Sequence, residues 1–532
     1  MDSKKKTKIR LRPWLVWSGL WLACILFVPA ISFAQDPNGA ATGNINDIDT
    51  MLSKTVDTVS KAKDTSFAAV NSTIAKLSAA VQTIGNADGH NKIAINIVWT
   101  LITGFLVMFM QAGFALVETG FTQKKNVAHT MAMNFMIYIL GLLGFWICGF
   151  AFMFGGGLNV AALGGAAGVT SHEITWHLFG HDFGIIGSAG YFLSSNVYDV
   201  GIFALFLFQM VFMDTTATIP TGAMAERWKF KAFMVYGFFI SMFVYPIYGN
   251  WVWGGGWLAQ LGVNFHLGHG HVDFAGSTVV HMVGGVAALA GAVVIGPRLG
   301  KYGKDGKVNT IPAHNIPMAL LGTFILAFGW FGFNPGSTLA GTDLRISVIA
   351  VNTMLASASG TLMATLYVWR KYGKPDPGMM ANGMLAGLVA ITAPSGFVNA
   401  MGAVVIGAVA GILVVVWYYF MDTKLKIDDP VGAVAVHGVN GFWGVLSLGL
   451  FADGKYGDGW NGVAGTVKGL FYGDASQFFA ELIGGLACFA FVYPVCYLFF
   501  KICKATIGLR TSEEEEVAGL DIPEMGVHGY VD

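Results

Sequence analysis

Two histidines, His281 and His437, lie inside hydrophobic segments of similar sequence, VHMVGG at 280–285 and VHGVNG at 436–441. A lone histidine in hydrocarbon is costly and needs a partner. A pair in matching contexts indicates two halves of an internal repeat that meet at one site. We therefore expect the two rings to face each other inside a membrane, as a pair in a transporter or channel would.

Three arrangements of this histidine pair are open. Each ring could be a core histidine bonded to a backbone carbonyl, the pair could bind a metal, or two neutral imidazoles could hydrogen-bond to each other. Neither histidine has Asp, Glu, His or Cys three or four residues away, so a closed metal site would need ligands from elsewhere. We favour the neutral, mutually hydrogen-bonded pair and expect no metal and no cofactor.

The composition is typical of a membrane protein. Of the 532 residues, 55% are hydrophobic and 12% are charged, whereas soluble domains are about 25% charged. Hydrophobic runs close to the roughly 20 residues of a spanning helix begin near Ala94, Ala128, Ile202, Phe233, Thr278, Ile316, Ile346, Met379, Ala403, Val431 and Phe478. We predict an all-α membrane protein with about eleven transmembrane helices.

Alternate loops carry the positive charge, and cytoplasmic loops are the ones rich in Lys and Arg. The basic loops contain Lys124 and Lys125; Arg227, Lys229 and Lys231; Arg298, Lys301, Lys304 and Lys307; Arg370, Lys371 and Lys374; Lys424 and Lys426; and Lys501, Lys504 and Arg510. We predict a multi-pass protein of the cell (inner) membrane, with the start of the first core helix outside and the C-terminus in the cytoplasm.

The N-terminus has the pattern of a secretory signal. A basic stretch at 4–10 precedes an apolar run from Trp14 to Ile31 and a small-residue site that ends at Ala34. We predict that residues 1–34 are a signal peptide cleaved after Ala34. Because the apolar run is long for a signal, an uncleaved anchor is the alternative. Both alternatives export the segment that follows.

Residues 35–93 are polar and helix-forming, with one apolar stripe. Its members lie three and four residues apart: Phe67, Val70, Ile74, Leu77, Val81 and Ile84. We expect an extracytoplasmic amphipathic helix that rests on the outer face of its own chain. A short coiled coil between subunits is the alternative, although about two and a half heptads are short for one.

Residues 94–532 closely resemble the ammonium transporter (Amt/Mep/Rh) family, of the bacterial Amt type. The resemblance is carried by GAMAER at 222–227, WVWGGG at 251–256, DFAGSTVVH at 273–281, GWFGFNPGS at 329–337, DDPVGAVAVHGVNG at 428–441 and GLRTSEEEEVAGLD at 508–521. It implies a transmembrane core at 94–505, in which an inverted repeat relates helices one to five with helices six to ten before a long final helix. It also implies a homotrimer with one pore per subunit.

The resemblance implies that the chain moves ammonium nitrogen inward and is not an enzyme. An ammonium ion forced into a dry passage loses hydration, and burial lowers amine pKa values by up to about 3 to 5 units. Each unit corresponds to about 1.36 kcal/mol. We expect ammonium to be recruited as a cation, to lose its proton, and to pass as ammonia beside His281 and His437, with or without a relayed proton.

An outer recruitment site formed by Trp253, Phe212 and Ser337 is implied by the same resemblance. An exposed indole face attracts a cation by about 0.5 to 2 kcal/mol. Trp253 considered alone would be better explained as an interfacial anchor. The surrounding motif reverses that preference.

Four aromatic residues resemble a gate below the recruitment site. Phe212 and Phe333 match the family's stacked phenyl pair, and Trp330 matches a residue that lines the route near the histidines. Phe208, four residues before Phe212, shares its helix face and is an ordinary packing residue without the family context. Such a constriction would exclude water and hydrated potassium by dewetting.

Acidic residues at helix ends are predicted to support the structure. Asp273, just before the fifth core helix, could attract cations or bond the free amides of the helix start, and we favour the structural role. Its charge would then assist recruitment only indirectly. Glu226-Arg227 and Asp428-Asp429 lie at cytoplasmic helix ends and are predicted to be ion pairs or caps.

Some polar residues have no role that the sequence predicts. Asp214 lies in the third core helix, off the face expected to line the pore, and Glu118 lies near the inner end of the first helix. The loop with His266, His269 and His271 could bind a metal, although we favour a solvated loop.

The tail at 506–532 carries an acidic run, Glu513 to Glu516. It resembles the family's regulatory tail, which contacts the neighbouring subunit, and the resemblance makes a PII-type signalling protein a candidate partner. A receptor that binds ammonium and signals is an alternative function, disfavoured because no long soluble region follows the last helix. A membrane metalloenzyme is disfavoured by the missing metal ligands.

Overall fold

The computed structural model describes residues 68–155, 161–164, 173–194 and 197–531. The predicted signal peptide at 1–34 lies outside the described residues, as do residues 35–67 of the predicted extension. Both remain predictions.

Eleven long helices dominate the described chain. Ten are long and apolar enough to cross a membrane, the first of them through its part Gly85–Phe121, and the eighth is a shorter apolar helix. This result confirms the prediction of about eleven helices in a multi-pass membrane protein. The helices are α1 (Ala68–Phe121), α2 (Lys124–Phe154), α3 (Val200–Met224), α4 (Phe230–Trp253), α5 (Ser277–Ile295), α6 (Ile316–Thr338), α7 (Ile346–Tyr372), α8 (Pro377–Thr392), α9 (Ala400–Leu425), α10 (Val434–Phe451) and α11 (Ala475–Thr506).

Short helices and one hairpin lie between the long helices. One antiparallel hairpin, β1 (Glu173–Leu178) with β2 (His181–Gly187), packs against the end of α4, where the Trp251 indole donates to the Ile185 carbonyl at 2.9 Å. The short helices are Ala161–Leu163, Tyr191–Leu193, Leu261–Phe265, Trp460–Gly462, Leu470–Tyr472, Glu513–Ala518 and Asp521–Met525.

Three helices form the centre of the bundle. In the most apolar 18-residue stretch of each helix, 89% of the residues are buried in α5, 78% in α3 and 67% in α10, whereas 28% are buried in α11. Small residues let helices approach closely in a membrane, and α5 carries the sequence VGGVAALAG at 283–291. At the closest approach, a Cβ added to Gly285 would lie 2.1 Å from the backbone nitrogen of Gly438 in α10. The two histidine-bearing helices therefore touch through glycine.

The first helix runs without a break across the predicted boundary at 93/94. Between residues 85 and 95 none of its side chains is buried. These residues do not include the apolar stripe, so they do not test the predicted packing of the extension on the outer face of its own chain, which remains a prediction. The side chains of the apolar stripe are outside what the structure describes, so the coiled-coil alternative stays open.

Candidate functional site

His281 and His437 meet in the centre of the bundle. Each lies in a π-helical segment that begins its helix, Ser277–Met282 in α5 and Val434–Val439 in α10. Their Nδ1 atoms are 3.3 Å apart, and the ring centroids are 5.3 Å apart at 29°. The residues are 0% and 4% exposed. At this distance one ring donates and the other accepts, which two neutral imidazoles can do.

Matching caps hold the two helix starts. Asp273 accepts the backbone N–H groups of residues 276–279 at 2.7 to 3.0 Å. Asp429 accepts those of Gly432 and Val434 at 2.9 and 2.8 Å. Gly276 and Gly432 occupy equivalent positions with φ of 111° and 82°, which glycine adopts at low cost. Both segments show the shared pattern D-x-x-G-x-x-x-x-H, which makes Asp429 the counterpart of Asp273. The prediction of an ion pair or cap at Asp428-Asp429 did not include this equivalence.

A continuous stack of rings leads to the histidines. The ring centroids of Phe208 and Phe212 are 4.6 Å apart. Phe212 stacks on Phe333 with ring centroids 4.0 Å apart and an angle of 26° between the ring planes. The Phe333 ring then lies 5.2 Å from that of His281, as does the Trp330 ring. All five residues are at most 1% exposed. The structure thus brings the four predicted aromatic residues and the histidines into one buried column.

Trp253 lies beside the Phe212 ring of the column, and Ser337 lies one helical turn after Phe333. The Trp253 ring is 6.2 Å from the Phe212 ring in an edge contact, and it is partly exposed. Its indole N–H donates to the Asp273 carbonyl at 2.6 Å. The Ser337 hydroxyl donates to the Phe333 carbonyl at 2.8 Å. The cap residue Asp273 therefore also holds the indole through its backbone.

The two acidic residues without a predicted role are both buried. Glu118 accepts hydrogen bonds from Thr221 at 2.6 Å and from Asn134 at 2.7 Å. With His437 it lines a cavity of about 20 Å³ on the far side of the histidine pair, which is room for one water molecule. Asp214 lies in α3, and among the described residues its Oδ1 has no hydrogen-bond partner.

An ion-pair network closes the opposite end of the bundle. Arg298, which follows α5, contacts Glu226 at 2.5 Å and Asp428 at 2.8 Å. Burial opposes the charge of Arg298, but Asp428 and Glu226 raise its pKa above the usual range. Arg227 does not pair with Glu226; its guanidinium donates to backbone carbonyls, and burial lowers its pKa to about 10. The predicted ion pairs exist, but Arg298 is their cation.

The expectation of a solvated histidine loop is wrong for two of its three members. His266 is exposed, whereas His269 is 5% and His271 0% exposed. The loop is buried because it packs on α11: the His269 backbone N–H donates to Gln477, and His271 contacts Glu481. Within the described residues no three His, Cys, Asp or Glu side chains are grouped as a metal site would need.

The tail folds back on loops of its own chain. Glu516 pairs with Arg510 at 2.6 Å and accepts the Leu299 backbone N–H at 2.7 Å. Its carbonyl accepts from Lys125 at 2.6 Å. Through Glu516, the acidic run thus contacts the loop before α2 and the loop after α5, close to the Arg298 network.

These features define a class: a polytopic membrane protein with a buried aromatic column that ends at a histidine pair. The family model described as Ammonium Transporter Family matches residues 98–530. The chain belongs to the ammonium transporter family.

Individual relatives agree with this assignment. The chain is 46% identical over 441 residues to ammonium transporter Amt2 of Archaeoglobus fulgidus, covering 82% of this chain and 89% of the relative. It is 38% identical over 448 residues to ammonium transporter Amt1 of Haloferax mediterranei, covering 82% and 79%. Among solved structures, a Sensor Amt Protein superposes with a TM-score of 0.70 at 36% identity, covering 82% of this chain and 99% of that one. Mep2 of Candida albicans gives 0.66 at 28% identity, covering 79% and 87%.

Proposed function

We propose that this protein is an ammonium transporter or channel that recruits NH4+ at Trp253, removes a proton and conducts ammonia past His281 and His437. The observation that carries the proposal is the unbroken column of buried rings from Phe208 to His437. Rings in contact at 4.0 to 5.3 Å leave no room for a hydrated ion. A small neutral base is the form of the substrate that such a column tolerates.

Recruitment takes place at the open end of the column. The partly exposed indole of Trp253 offers its face to a cation, and Phe212 lies beside it. Ser337 is one helical turn beyond Phe333, where its hydroxyl oxygen has a free lone pair that can accept a hydrogen bond from ammonium. Phe212 and Phe333 then act as the gate below this site.

The histidine pair guides ammonia beyond the gate. Each neutral ring has one donor and one acceptor nitrogen, so the pair can hydrogen-bond ammonia and can pass a proton between the rings. Loss of hydration favours deprotonation before the column, because a dry passage disfavours the charged form. Glu118 and His437 then border the exit cavity.

The membrane orientation, assembly and partner of the protein are also proposed. The recruitment end faces outward and the Arg298 end faces the cytoplasm, as the distribution of basic residues predicts. The protein is a homotrimer of the inner membrane with one pore per subunit and a cleaved signal at 1–34. The tail at 506–532 is its regulatory segment, and a PII-type protein is its candidate cytoplasmic partner.

A sensor is the second candidate function, favoured by the 36% identity to a protein titled Sensor Amt Protein. A sensor would bind ammonium at the outer site without moving it. Binding without uptake in proteoliposomes would support the sensor and refute the transporter.

Saturable uptake of labelled methylammonium into proteoliposomes tests the transporter. We expect uptake that unlabelled ammonium inhibits and that His281→Ala abolishes. His129→Ala is the matched control, because His129 is also buried in a membrane helix but contacts Phe230 outside the column. Equal uptake by the parent and His281→Ala would refute the proposed route.

A further inference from the structure

His271 and Glu481 form a buried pair outside the ring column. Nδ1 of His271, in the loop before α5, lies 2.6 Å from Oε2 of Glu481 in α11, and both side chains are 0% exposed. Neither atom has another hydrogen-bond partner among the described residues. Gly484, one turn after Glu481, makes room for the ring, because a Cβ there would lie 2.2 Å from Nδ1. The pocket is shaped for an imidazole.

The other side of the His271 ring is connected to Asp273 through Thr278. Nε2 lies 3.0 Å from the Thr278 hydroxyl oxygen, and that hydroxyl donates to Oδ2 of Asp273 at 2.7 Å. The Asp273 carboxylate also accepts four backbone N–H groups, so it acts only as an acceptor. The one hydroxyl proton of Thr278 is therefore used by Asp273, and Nε2 of His271 must donate to Thr278.

A second proton has to lie between Nδ1 of His271 and Oε2 of Glu481. Oε1 of Glu481 accepts from the Val272 backbone at 3.0 Å and from Gln477 at 2.7 Å. Two lone pairs facing each other at 2.6 Å would repel, so a proton is shared there, on one atom or the other. The pair is neutral with this proton bound and carries one negative charge without it.

We propose that the His271–Glu481 pair is a proton site that adjusts cation recruitment at Trp253, an inference that rests on the proposed function. When the shared proton is released, His271 keeps one N–H. That hydrogen is then on Nδ1, which donates to the Glu481 carboxylate. Nε2 becomes an acceptor, and the Thr278 hydroxyl turns from Asp273 to His271. The Asp273 side chain then loses one hydrogen bond. Because the backbone carbonyl of the same residue accepts the Trp253 indole N–H, this loss loosens the residue that holds the indole. Proton release thus weakens the support of the recruiting ring.

The surroundings of His271 give the direction of the pH dependence. Burial opposes its charge, but Glu481 raises the pKa of His271 above the ordinary value. Asp273 in the same loop, Tyr248 of α4 and Cys488 of α11 are titratable groups of the same region. His269 is also in the loop, but its ring bonds the Gly465 carbonyl. A raised pKa means that the pair holds its shared proton to a higher pH than a free imidazole would. Its contribution to stability is present below the unfolded pKa and is lost as pH rises through the folded pKa.

Glu481→Gln imitates the protonated pair at every pH. The amide oxygen takes the place of Oε1, which already accepts two N–H groups, and the amide NH2 faces Nδ1 of His271. We expect this variant to keep the parental KM at neutral pH and to lose the alkaline rise in KM. Thr278→Val, without the hydroxyl, should raise KM about three- to tenfold at every pH, the effect of one hydrogen bond.

Two measurements on the full-length protein test the proposal. One is the KM for methylammonium uptake by proteoliposomes as a function of external pH; the other is the melting temperature in detergent, without ammonium, as a function of pH. We expect the parent to show a rising KM and a falling melting temperature at alkaline pH, and Glu481→Gln to lack both. Because methylammonium itself titrates at alkaline pH, the variants are compared at each pH.

Asp182→Asn is the matched control, because Asp182 forms a similar pair with His177 at 2.9 Å that is 69% exposed on the hairpin. It should behave like the parent. Equal melting profiles for the parent and Glu481→Gln would overturn the proton site. Different melting profiles with equal KM profiles would overturn the coupling to recruitment. Absence of saturable uptake in the parent would overturn the proposed function, whereas the melting profiles would still test the proton site.

Discussion

Arg298→Met should destabilise the protein by about 3 to 5 kcal/mol, the cost of leaving buried charges without a partner. Arg298 is 7% exposed, and the Glu226 and Asp428 residues it joins are each 2% exposed. Its guanidinium makes a two-pronged contact with Asp428 at 2.8 and 2.9 Å and a third contact with Glu226 at 2.5 Å. Methionine fills the volume of the stem but leaves both carboxylates buried without an ion pair.

The assay is the apparent melting temperature of detergent-purified protein. Arg345→Met is the matched control, because the Arg345–Asp343 pair has the same 2.8 Å contact but is 19% and 23% exposed. Such a pair contributes about 1 kcal/mol or less. We expect the Arg298 variant to lower the melting temperature at least about threefold more than the control. Equal shifts in the two variants would refute the argument that burial makes this network essential.

The pH dependence of the same experiment has a definite sign. Burial opposes the charge of Asp428, but Arg227 and Arg298 hold its pKa well below the usual range. A depressed folded pKa contributes stability above the unfolded pKa, about 3.9, and loses it as pH falls. Removal of Arg298 removes part of that contribution. The melting temperatures of parent and Arg298→Met should therefore converge below about pH 4, and a gap that widens there would contradict this assignment.

Three further comparisons, which use five variants, probe the column and its supports. Gly285→Ala should abolish methylammonium uptake, because its Cβ would lie 2.1 Å from the Gly438 backbone, whereas Gly438→Ala meets its nearest atom at 3.4 Å and should retain uptake; loss in both would contradict the geometry. Asp273→Asn should lower the free energy of unfolding by about 2 kcal/mol and raise the KM for uptake, because Asp273 also holds the Trp253 indole. Asp429→Asn should destabilise the protein similarly without changing KM. Equal KM effects would show that the Trp253 contact is unimportant. Phe333→Ala opens the column and should give a potassium current in liposomes that the parent lacks, and an unchanged current would argue against a dewetted gate.

The helices were predictable because the membrane thickness imposes their length. Apolar runs of about 20 residues stand out in a sequence with 12% charged residues. The meeting of His281 and His437 was predictable for a related reason, since unpaired imidazoles are costly in hydrocarbon. The repeated spacing from Asp273 to His281 and from Asp429 to His437 carried further information that would have located the second cap.

Other contacts could not be predicted because their partners are distant in sequence. Glu481 lies in an apolar run, and nothing local indicates that His271 would fill the space above Gly484. The loop of His271 is rich in glycine and histidine, which is typical of a solvated segment, but packing against α11 buries it. Arg298 belongs to a basic loop, and only the fold shows that it turns inward to Asp428. Local composition describes solvent preference, whereas these positions are decided by tertiary packing.

Net charge and pH measured together in one liposome preparation test the central claim most directly. After an ammonium pulse, current and internal pH are recorded for the parent, for the double variant His281→Ala/His437→Ala, and for protein-free liposomes. We expect that the parent alone changes the internal pH faster than protein-free liposomes do. Alkalinisation without current would mean that ammonia crosses alone, and current would mean that a proton is relayed with it. A double variant as fast as the parent would contradict the claim that ammonium nitrogen crosses beside these two rings.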